Sequence, residues 1–275
     1  MKKIIAILLA GGKLSNEYKC FFKTPNNNFI IQEILNIIDK VNYQDYRLIL
    51  ESIYILFPPD IDENDFKSKL SLPDRNVIFV RGGEKLVDTV SNFVNLRKET
   101  IEENRYLLFI ATDTPLIDFE SLDDILKRFS LLDGDVFFPF VSKEVYKVQF
   151  GGNLVKRRTF VKLKKDSFCG TGILVIKENI FLSIWDKVKG ILENRKDPIK
   201  IAKDLNVDFF TILKLISGNM TVIELERKLS EIFNIKAHGL LTNFANLAFN
   251  IDSMQDLKDY EEIVKNRLLR VVNSE

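Results

Sequence analysis

Several short stretches of the chain carry residue types able to bind phosphate or a metal ion. Leu9-Ala10-Gly11-Gly12 follows an apolar run. Two successive glycines let a backbone turn tightly and offer N–H groups to an anion, here a phosphate chain. Lys19 and Lys23 come next and can neutralise phosphate charge, although single lysines equally suit a solvated surface. Asp113, within Ala111-Thr112-Asp113-Thr114-Pro115-Leu116-Ile117, stands at the tip of another apolar run. A carboxylate there is placed to hold Mg²⁺, a hard ion that takes oxygen ligands and shares itself with substrate phosphates. An Asx turn before Pro115 explains the same aspartate without a ligand. Asp252, after Phe249-Asn250-Ile251, can supply a second carboxylate or cap a helix beginning near Ser253.

Two further glycine pairs invite the same question. Arg81-Gly82-Gly83-Glu84 repeats the order of strand, paired glycine and helix, so its backbone can read a nucleobase edge or face an anion. Gly170, Thr171 and Gly172, after Cys169, can form part of a second substrate pocket. Arg157, Arg158 and Lys162 add positive charge nearby, as do Arg195 and Lys196 further on, and solvated surface accounts for these too. Cys169 has no histidine partner in sequence and reads as a packed thiol. Trp185 lies on an apolar helical stripe and reads as core, and His238 as a packed or hydrogen-bonded side chain.

Composition removes whole classes of chemistry. Across 275 residues, 40 Lys+Arg meet 39 Asp+Glu for a net charge of +1, which weakens any case for non-specific nucleic-acid binding, since that needs a concentrated basic surface. Two cysteines and one histidine allow neither a disulfide framework nor a Cys/His zinc site. A histidine-dependent nucleophile would have to use His238 itself. Neither the dinucleotide G-x-G-x-x-G pattern nor the G-x-x-x-x-G-K-[ST] loop is present.

These residues need a scaffold, and the pattern of apolar runs supplies one. Strands are expected at Ile4–Leu9, Ser52–Phe57, Val77–Val80 and Tyr106–Ala111, with helices at Phe29–Ile38, about Glu84 to Glu103, and Phe119–Phe129. That rhythm predicts an α/β fold of three α/β/α layers around a mostly parallel sheet. Ligands then bind beyond the carboxyl ends of the strands. Further strands are expected at Val136–Val141, Thr159–Leu163 and Gly172–Ile176, and a last one at Ala237–Leu241 or Phe249–Ile251. Between Glu178 and Phe233 the pattern is almost wholly helical, so residues 178–235 are expected to be a helical insertion or lid within one domain spanning residues 1–275. A C-terminal helix follows, capped near Ser253 and striped by Leu257, Tyr260, Val264 and Leu268. Lys2-Lys3 before Ile4–Ala10 can start a secretory signal, but no small-x-small cleavage site follows. The buried strand is the better reading, with a cytoplasmic protein and no membrane insertion expected.

Taken together, the pieces resemble the MobA-like nucleotidyltransferases, whose catalytic domain is of the GT-A type. The resemblance is carried by Leu9-Ala10-Gly11-Gly12, by Lys19 before Phe21-Phe22, by the Asp113 segment and by Asn250-Ile251-Asp252-Ser253-Met254-Gln255-Asp256-Leu257. Arg158–Leu163 and Arg195-Lys196-Asp197-Pro198 look like an uncharacterised branch of that family. Many members carry an arginine inside the first loop, whereas Lys13-Leu14-Ser15-Asn16-Glu17-Tyr18 has none. The resemblance implies transfer of a nucleoside monophosphate from a triphosphate to a phosphorylated acceptor (a phosphosugar, phosphoalcohol or cofactor), with Mg²⁺ as cofactor. Asp113 and Asp252 would hold the metal, and Lys19 would act with Asp113 in catalysis. Leu9, Ala10, Gly11, Gly12, Lys19, Gly82 and Gly83 would bind the nucleotide, and Lys162, Gly170, Thr171 and Gly172 the acceptor. Two other functions stay open: a GT-A glycosyltransferase using a nucleotide sugar, although the place of its usual Asp-x-Asp pair reads Asp113-Thr114-Pro115 and Asp133-Gly134-Asp135 falls in a turn before a strand, and a non-catalytic nucleotide-binding regulatory protein.

Overall fold

The computed structural model describes residues 1–194 and 198–272. Arg195, Lys196 and Asp197 lie outside the described residues, as does the side chain of Leu268. The strands are β1 (Lys2–Leu9), β2 (Lys13–Leu14), β3 (Glu17–Tyr18), β4 (Leu48–Phe57), β5 (Val77–Arg81), β6 (Arg105–Ala111), β7 (Val136–Ser142), β8 (Val161–Lys162), β9 (Ser167–Gly170), β10 (Ile173–Lys177) and β11 (Ala237–Thr242). The helices are α1 (Ile30–Lys40), α2 (Glu63–Lys67), α3 (Leu86–Arg97), α4 (Phe119–Leu131), α5 (Lys143–Phe150) and α6 (Gly152–Arg157). After them come α7 (Glu178–Ser183), α8 (Trp185–Glu193), α9 (Pro198–Asp204), α10 (Phe209–Ile216), α11 (Val222–Phe233) and α12 (Met254–Val272).

The main sheet runs β5-β4-β1-β6-β10-β7-β9-β8, with β11 on the other side of β7. Strands β5, β4, β1 and β6 pair in parallel, as do β7 and β11, whereas β10 is antiparallel to both β6 and β7. The sheet is thus mostly parallel, with β10 reversed in its middle and β9 likewise antiparallel to β7. Strands β9 and β10 both run along β7, one after the other, and the interruption between them is Thr171-Gly172. The short ribbon of β2 and β3 stands apart from this sheet.

Strand β1 is apolar at nearly every position because it is central and covered on both faces, as parallel strands are. Ile4, Ala6 and Leu8 face one core with α1, α4 and Tyr260 of α12. Ile5 and Ile7 face the other with α3, Phe181 of α7 and Trp185 of α8. These are the three expected layers, and the first two helices of the long helical stretch form part of one of them. Helix α4 begins at Asp118, whose carboxylate accepts from the Ser121 N–H at 3.0 Å while the Ser121 hydroxyl accepts from the Asp118 N–H. Gly151, with φ +80°, is the joint between α5 and α6, a left-handed conformation that favours glycine. Among the described residues, no helix is long and apolar enough to cross a membrane.

Four expectations change. Strand Thr159–Leu163 shrinks to Val161–Lys162, because only those residues pair with β9. Phe249–Ile251 is not a strand: Ala237–Thr242 takes the place on β7, and Ile251 N instead donates to Asp113 O. Helix α3 stops at Arg97, whose guanidinium is drawn into a buried ion cluster. The opening helix starts at Ile30 and runs to Lys40.

Candidate active site

Register fixes the site before any side chain does. Leu9 at the end of β1 lies level with Leu56 of β4 and Ala111 of β6, so the loops leaving these strands emerge side by side. The Thr112 hydroxyl donates to Leu9 O at 2.8 Å and ties the first loop to the Asp113 loop. After Gly12 the chain folds back through β2 and β3, and the Lys19 N–H donates to Gly12 O at 2.9 Å. Lys19 opens a 3-10 turn with its side chain buried. On the other side, Ile251 N donates to Asp113 O at 2.9 Å, which brings the segment before α12 against the end of β6.

The outcome is one ammonium between two carboxylates. Lys19 Nζ donates to Asp113 Oδ2 at 3.2 Å and to Asp252 Oδ1 at 3.0 Å. Asn250 Nδ2 reaches Asp113 Oδ1 at 3.4 Å. Burial raises the Asp113 carboxyl above its ordinary pKa, Lys19 works against that shift, and Asp252 adds to it. Burial pulls the Lys19 ammonium down, but Asp113 and Asp252 together outweigh it, so its pKa is raised. Lys19 therefore stays charged between the two aspartates.

A cavity of about 370 Å³ opens over this triad, lined by Leu9, Gly11, Gly12, Lys19, Asp113 and Asp252 and closed opposite by the turn from Gly83 to Leu86. Ala10 and Gly82 were expected here and do not line it: Ala10 is fully buried. The two glycine pairs behave differently. A Cβ on Gly11 would meet nothing within 4 Å, and one on Gly12 only the Lys19 stem. Their N–H groups find no acceptor among the described residues. By contrast, a Cβ on Gly82 would sit 2.8 Å from Phe57 O, and one on Gly83 2.3 Å from Asp88 Cβ. The Gly82 N–H donates to Phe57 O and the Gly83 N–H to Thr89 Oγ1, so neither is free to read a base. Close packing explains this second pair.

The expected acceptor residues are divided among three places. Gly170 lines a polar cavity with Arg157, Arg158, Asn250 and Asp252. Thr171 and Gly172 line an apolar one with Phe109, Trp185 and Val188. Thr171 and Gly172 are also bound into the backbone, the Thr171 hydroxyl by Pro139 O at 3.2 Å and the Gly172 N–H by Leu247 O. Lys162 lines neither cavity, and its stem packs over Gly218. Lys23 turns away as well, donating to Asn27 O and lying over the Phe29 ring. His238 stacks on Phe137 and contacts Asp133 O at 2.9 Å, as a packed side chain does. Asp133 and Asp135 pair with Lys236 and Lys177 at the opposite edge of the sheet.

Sequence reasoning missed Asn250 as a partner of Asp113, and Lys13 and Lys85 as residues of the cleft wall. Lys13 pairs with Asp60 at 2.8 Å and lies over the Tyr18 ring. Its place beside Gly12 was the available signal.

No family model and no curated protein matches this sequence. Solved structures share its fold. A hypothetical transferase from Thermus thermophilus superposes with a TM-score of 0.66 at 21% identity, over 93% of this chain and 99% of that one. The 2-C-methyl-D-erythritol 4-phosphate cytidylyltransferase of Francisella tularensis gives 0.54 at 13% identity, over 96% and 100%. A CMP:2-keto-3-deoxy-manno-octonic acid synthetase complexed with CTP gives 0.52 at 9%, over 96% and 99%. The α/β fold of this chain is the fold of those transferases.

Proposed function

We propose that this protein is a Mg²⁺-dependent nucleotidyltransferase of the MobA-like kind, moving a nucleoside monophosphate from a nucleoside triphosphate to a phosphorylated acceptor. The convergence of Lys19, Asp113 and Asp252 beside the Gly11-Gly12 turn carries this reading. The fold shared with two nucleotide-transferring enzymes supports it.

The donor set suits Mg²⁺, which typically takes one or two protein carboxylates and completes its shell with phosphate and water. Asp113 and Asp252 would hold the ion, which when bound supplies a Lewis acid to a phosphoryl oxygen. The chain's own residues do the rest. The free N–H groups of Gly11 and Gly12 receive the triphosphate. Lys19, already charged and fixed between the aspartates, neutralises the phosphate that arrives there. Lys13, in a first loop that lacks arginine, and Lys85, in the turn opposite, supply cations to the cleft wall. An acceptor phosphate oxygen forms a bond to the α-phosphorus as the bond from that phosphorus to the bridging oxygen breaks, and the electron pair leaves with pyrophosphate. A phosphomonoester has its second pKa at about 6 and is already mostly ionised at neutral pH, so no histidine is needed to activate it. Positioning supplies the remainder of the rate.

The glycosyltransferase reading would need an Asp-x-Asp pair in the loop after β6, which reads Asp113-Thr114-Pro115, and Asp133 and Asp135 are engaged elsewhere. Pyrophosphate release should be measured with CTP, GTP, ATP and UTP, with and without Mg²⁺, across phosphorylated acceptors. Release with one triphosphate only when Mg²⁺ is present, abolished in Asp113→Ala, is the expected result. Wild-type turnover in that variant would remove Asp113 from the mechanism. Stabilisation by nucleotide sugars alone would replace this reading with glycosyl transfer, and binding without release would replace it with a regulatory role.

A further inference from the structure

Asp252 lines a second cavity besides the nucleotide cleft. This one, of about 310 Å³, is walled by Arg157, Arg158, Gly170, Asn250 and Asp256. Most of its charges are answered within the protein. Arg157 pairs with Asp259. Asp252 pairs with Lys19, and Asp256 accepts from the Ser253 N–H and hydroxyl at 2.7 Å each. Arg158 is the exception. One terminal nitrogen donates to Gly170 O at 3.2 Å, but its Nε is buried without a partner and no carboxylate lies within ion-pair reach among the described residues. Its near neighbour Cys169 offers only a thiol, a weak acceptor. The Nε side of this guanidinium thus lacks both solvent and a partner, and the oxygens of an anion would supply one.

A second unmet atom has the opposite sense. Asn250 Nδ2 faces Asp113 Oδ1, and because a carboxylate only accepts, this contact fixes which end of the amide is oxygen. Asn250 Oδ1 is then a buried acceptor with no donor. A small turn of either side chain into the cavity gains a bond where none exists now.

Resting on the nucleotidyl-transfer reading, we propose that this cavity receives the acceptor, and that the acceptor is a hydroxylated phosphomonoester, a polyol or sugar phosphate. Its phosphate lies against Arg158 and one of its hydroxyls donates to Asn250 Oδ1. Asn250 contacts Asp113, and Asp252 lines both cavities, so a phosphate held here stands beside the centre it attacks. One of its oxygens bonds to the α-phosphorus and pyrophosphate departs, as above. The neighbouring apolar cavity, with Phe109, Trp185 and Val188 in its wall, also reaches Asn250 but has no charged side chain in its lining to meet a phosphate.

The test separates this site from the reaction. The full chain is titrated calorimetrically, without nucleotide, with glycerol 3-phosphate, glucose 1-phosphate and sorbitol 6-phosphate. The same titration is run with n-propyl phosphate, which has no hydroxyl, and gluconate, which has no phosphate. At least one hydroxylated phosphate should bind, roughly tenfold or more tightly than either control, and Arg158→Gln should weaken it by at least the same factor. Arg158→Lys keeps the charge without the fork and should fall between; it also guards against a folding defect in the first variant. Absence of binding by all three, or equal binding by Arg158→Gln with an unchanged melting temperature, overturns the site. Equal binding of n-propyl phosphate overturns the hydroxylated class, and equal binding of gluconate overturns the phosphate. Pyrophosphate release reports separately on the reaction: Arg158-dependent binding with no release sinks nucleotidyl transfer and keeps the cavity. Release by Arg158→Gln at an unchanged acceptor KM does the reverse.

Discussion

Strand β6 begins at Arg105 and ends two residues before Asp113, and the ions at its two ends are held in opposite ways. At the amino end, Arg97 and Arg105 contact the fully buried Glu178 at 2.7 and 3.0 Å. Arg105 also pairs with Glu51 and Glu102, and Lys3 pairs with both of those. Three cations thus meet three carboxylates. The Tyr54 hydroxyl and Thr100 O accept from the remaining guanidinium nitrogens. At the carboxyl end, among the described residues, Lys19 is the one cation paired with Asp113 and Asp252. Around it lie glycine N–H groups, a buried amide oxygen and a guanidinium that find no acceptor, donor or counter-ion, respectively, among the described residues. The closed network joins β6, α3 and α7 into one body. The open one is left incomplete in the pattern that a bound ligand would complete.

The largest expected difference between the ends is in stability. Glu178→Ala strands two guanidiniums in the interior and should cost about 3–5 kcal/mol, with turnover per folded molecule unchanged. Urea denaturation read beside a specific-activity assay checks both halves. A loss below about 1 kcal/mol would mean that the amino-end cluster holds nothing together. The carboxyl end should answer the other way. Asp113→Asn removes a carboxylate that burial already disfavours, so its melting temperature should hold or rise. Pyrophosphate release should drop by roughly 10²–10³, the usual scale for losing one electrostatic contact in a transition state. An unstable yet active Asp113→Asn would erase the contrast.

Much of the carboxyl end was legible in the sequence, because strand ends advertise themselves. An apolar run followed by Gly11-Gly12 or by Thr112-Asp113 marks where a parallel strand stops, and parallel strands stop at one edge. Lys19, Asp113 and Asp252 are far apart in the chain but close at that edge. The amino end was silent. Arg97, Arg105 and Glu178 look like surface charges, since nothing local says that α3 and α7 will cover them. The reversed direction of β10 was equally hidden, because periodicity reports burial and not strand polarity. Glycine misled in one case. Gly82-Gly83 has the same pattern as Gly11-Gly12, and only the position of Thr89 and Asp88 shows that packing demands it.

A smaller effect sharpens the contrast within the open end itself. A Cβ on Gly172 would sit 2.3 Å from Thr114 Oγ1, a buried atom in the loop that carries Asp113. Gly172→Ala should therefore cost roughly 1–3 kcal/mol by overpacking and displace the Asp113 loop. Gly11 has neither a close neighbour nor a positive φ. Gly11→Ala should leave the melting temperature unchanged and, with a methyl group projecting into the cleft, raise the KM for the triphosphate. Thermal unfolding and triphosphate kinetics on the two variants distinguish a glycine kept for packing from one kept for the ligand.

The smallest expected effect asks how firmly the open end is anchored. The loop from Asp113 to Asp118 ends where α4 begins, and Asp118 caps that helix by accepting from the Ser121 N–H at 3.0 Å. Asp118→Ala leaves one helix donor unpaired and should cost about 1 kcal/mol. Its carboxylate does not line the cleft over Lys19, so any kinetic change must pass through the position of the loop. If Asn250, Lys19 and the Ile251 N–H hold Asp113 in place by themselves, turnover should fall less than the stability loss would suggest. If the cap sets the loop, turnover and melting temperature should drop together, and Asp118→Ser, which keeps an oxygen acceptor, should restore both.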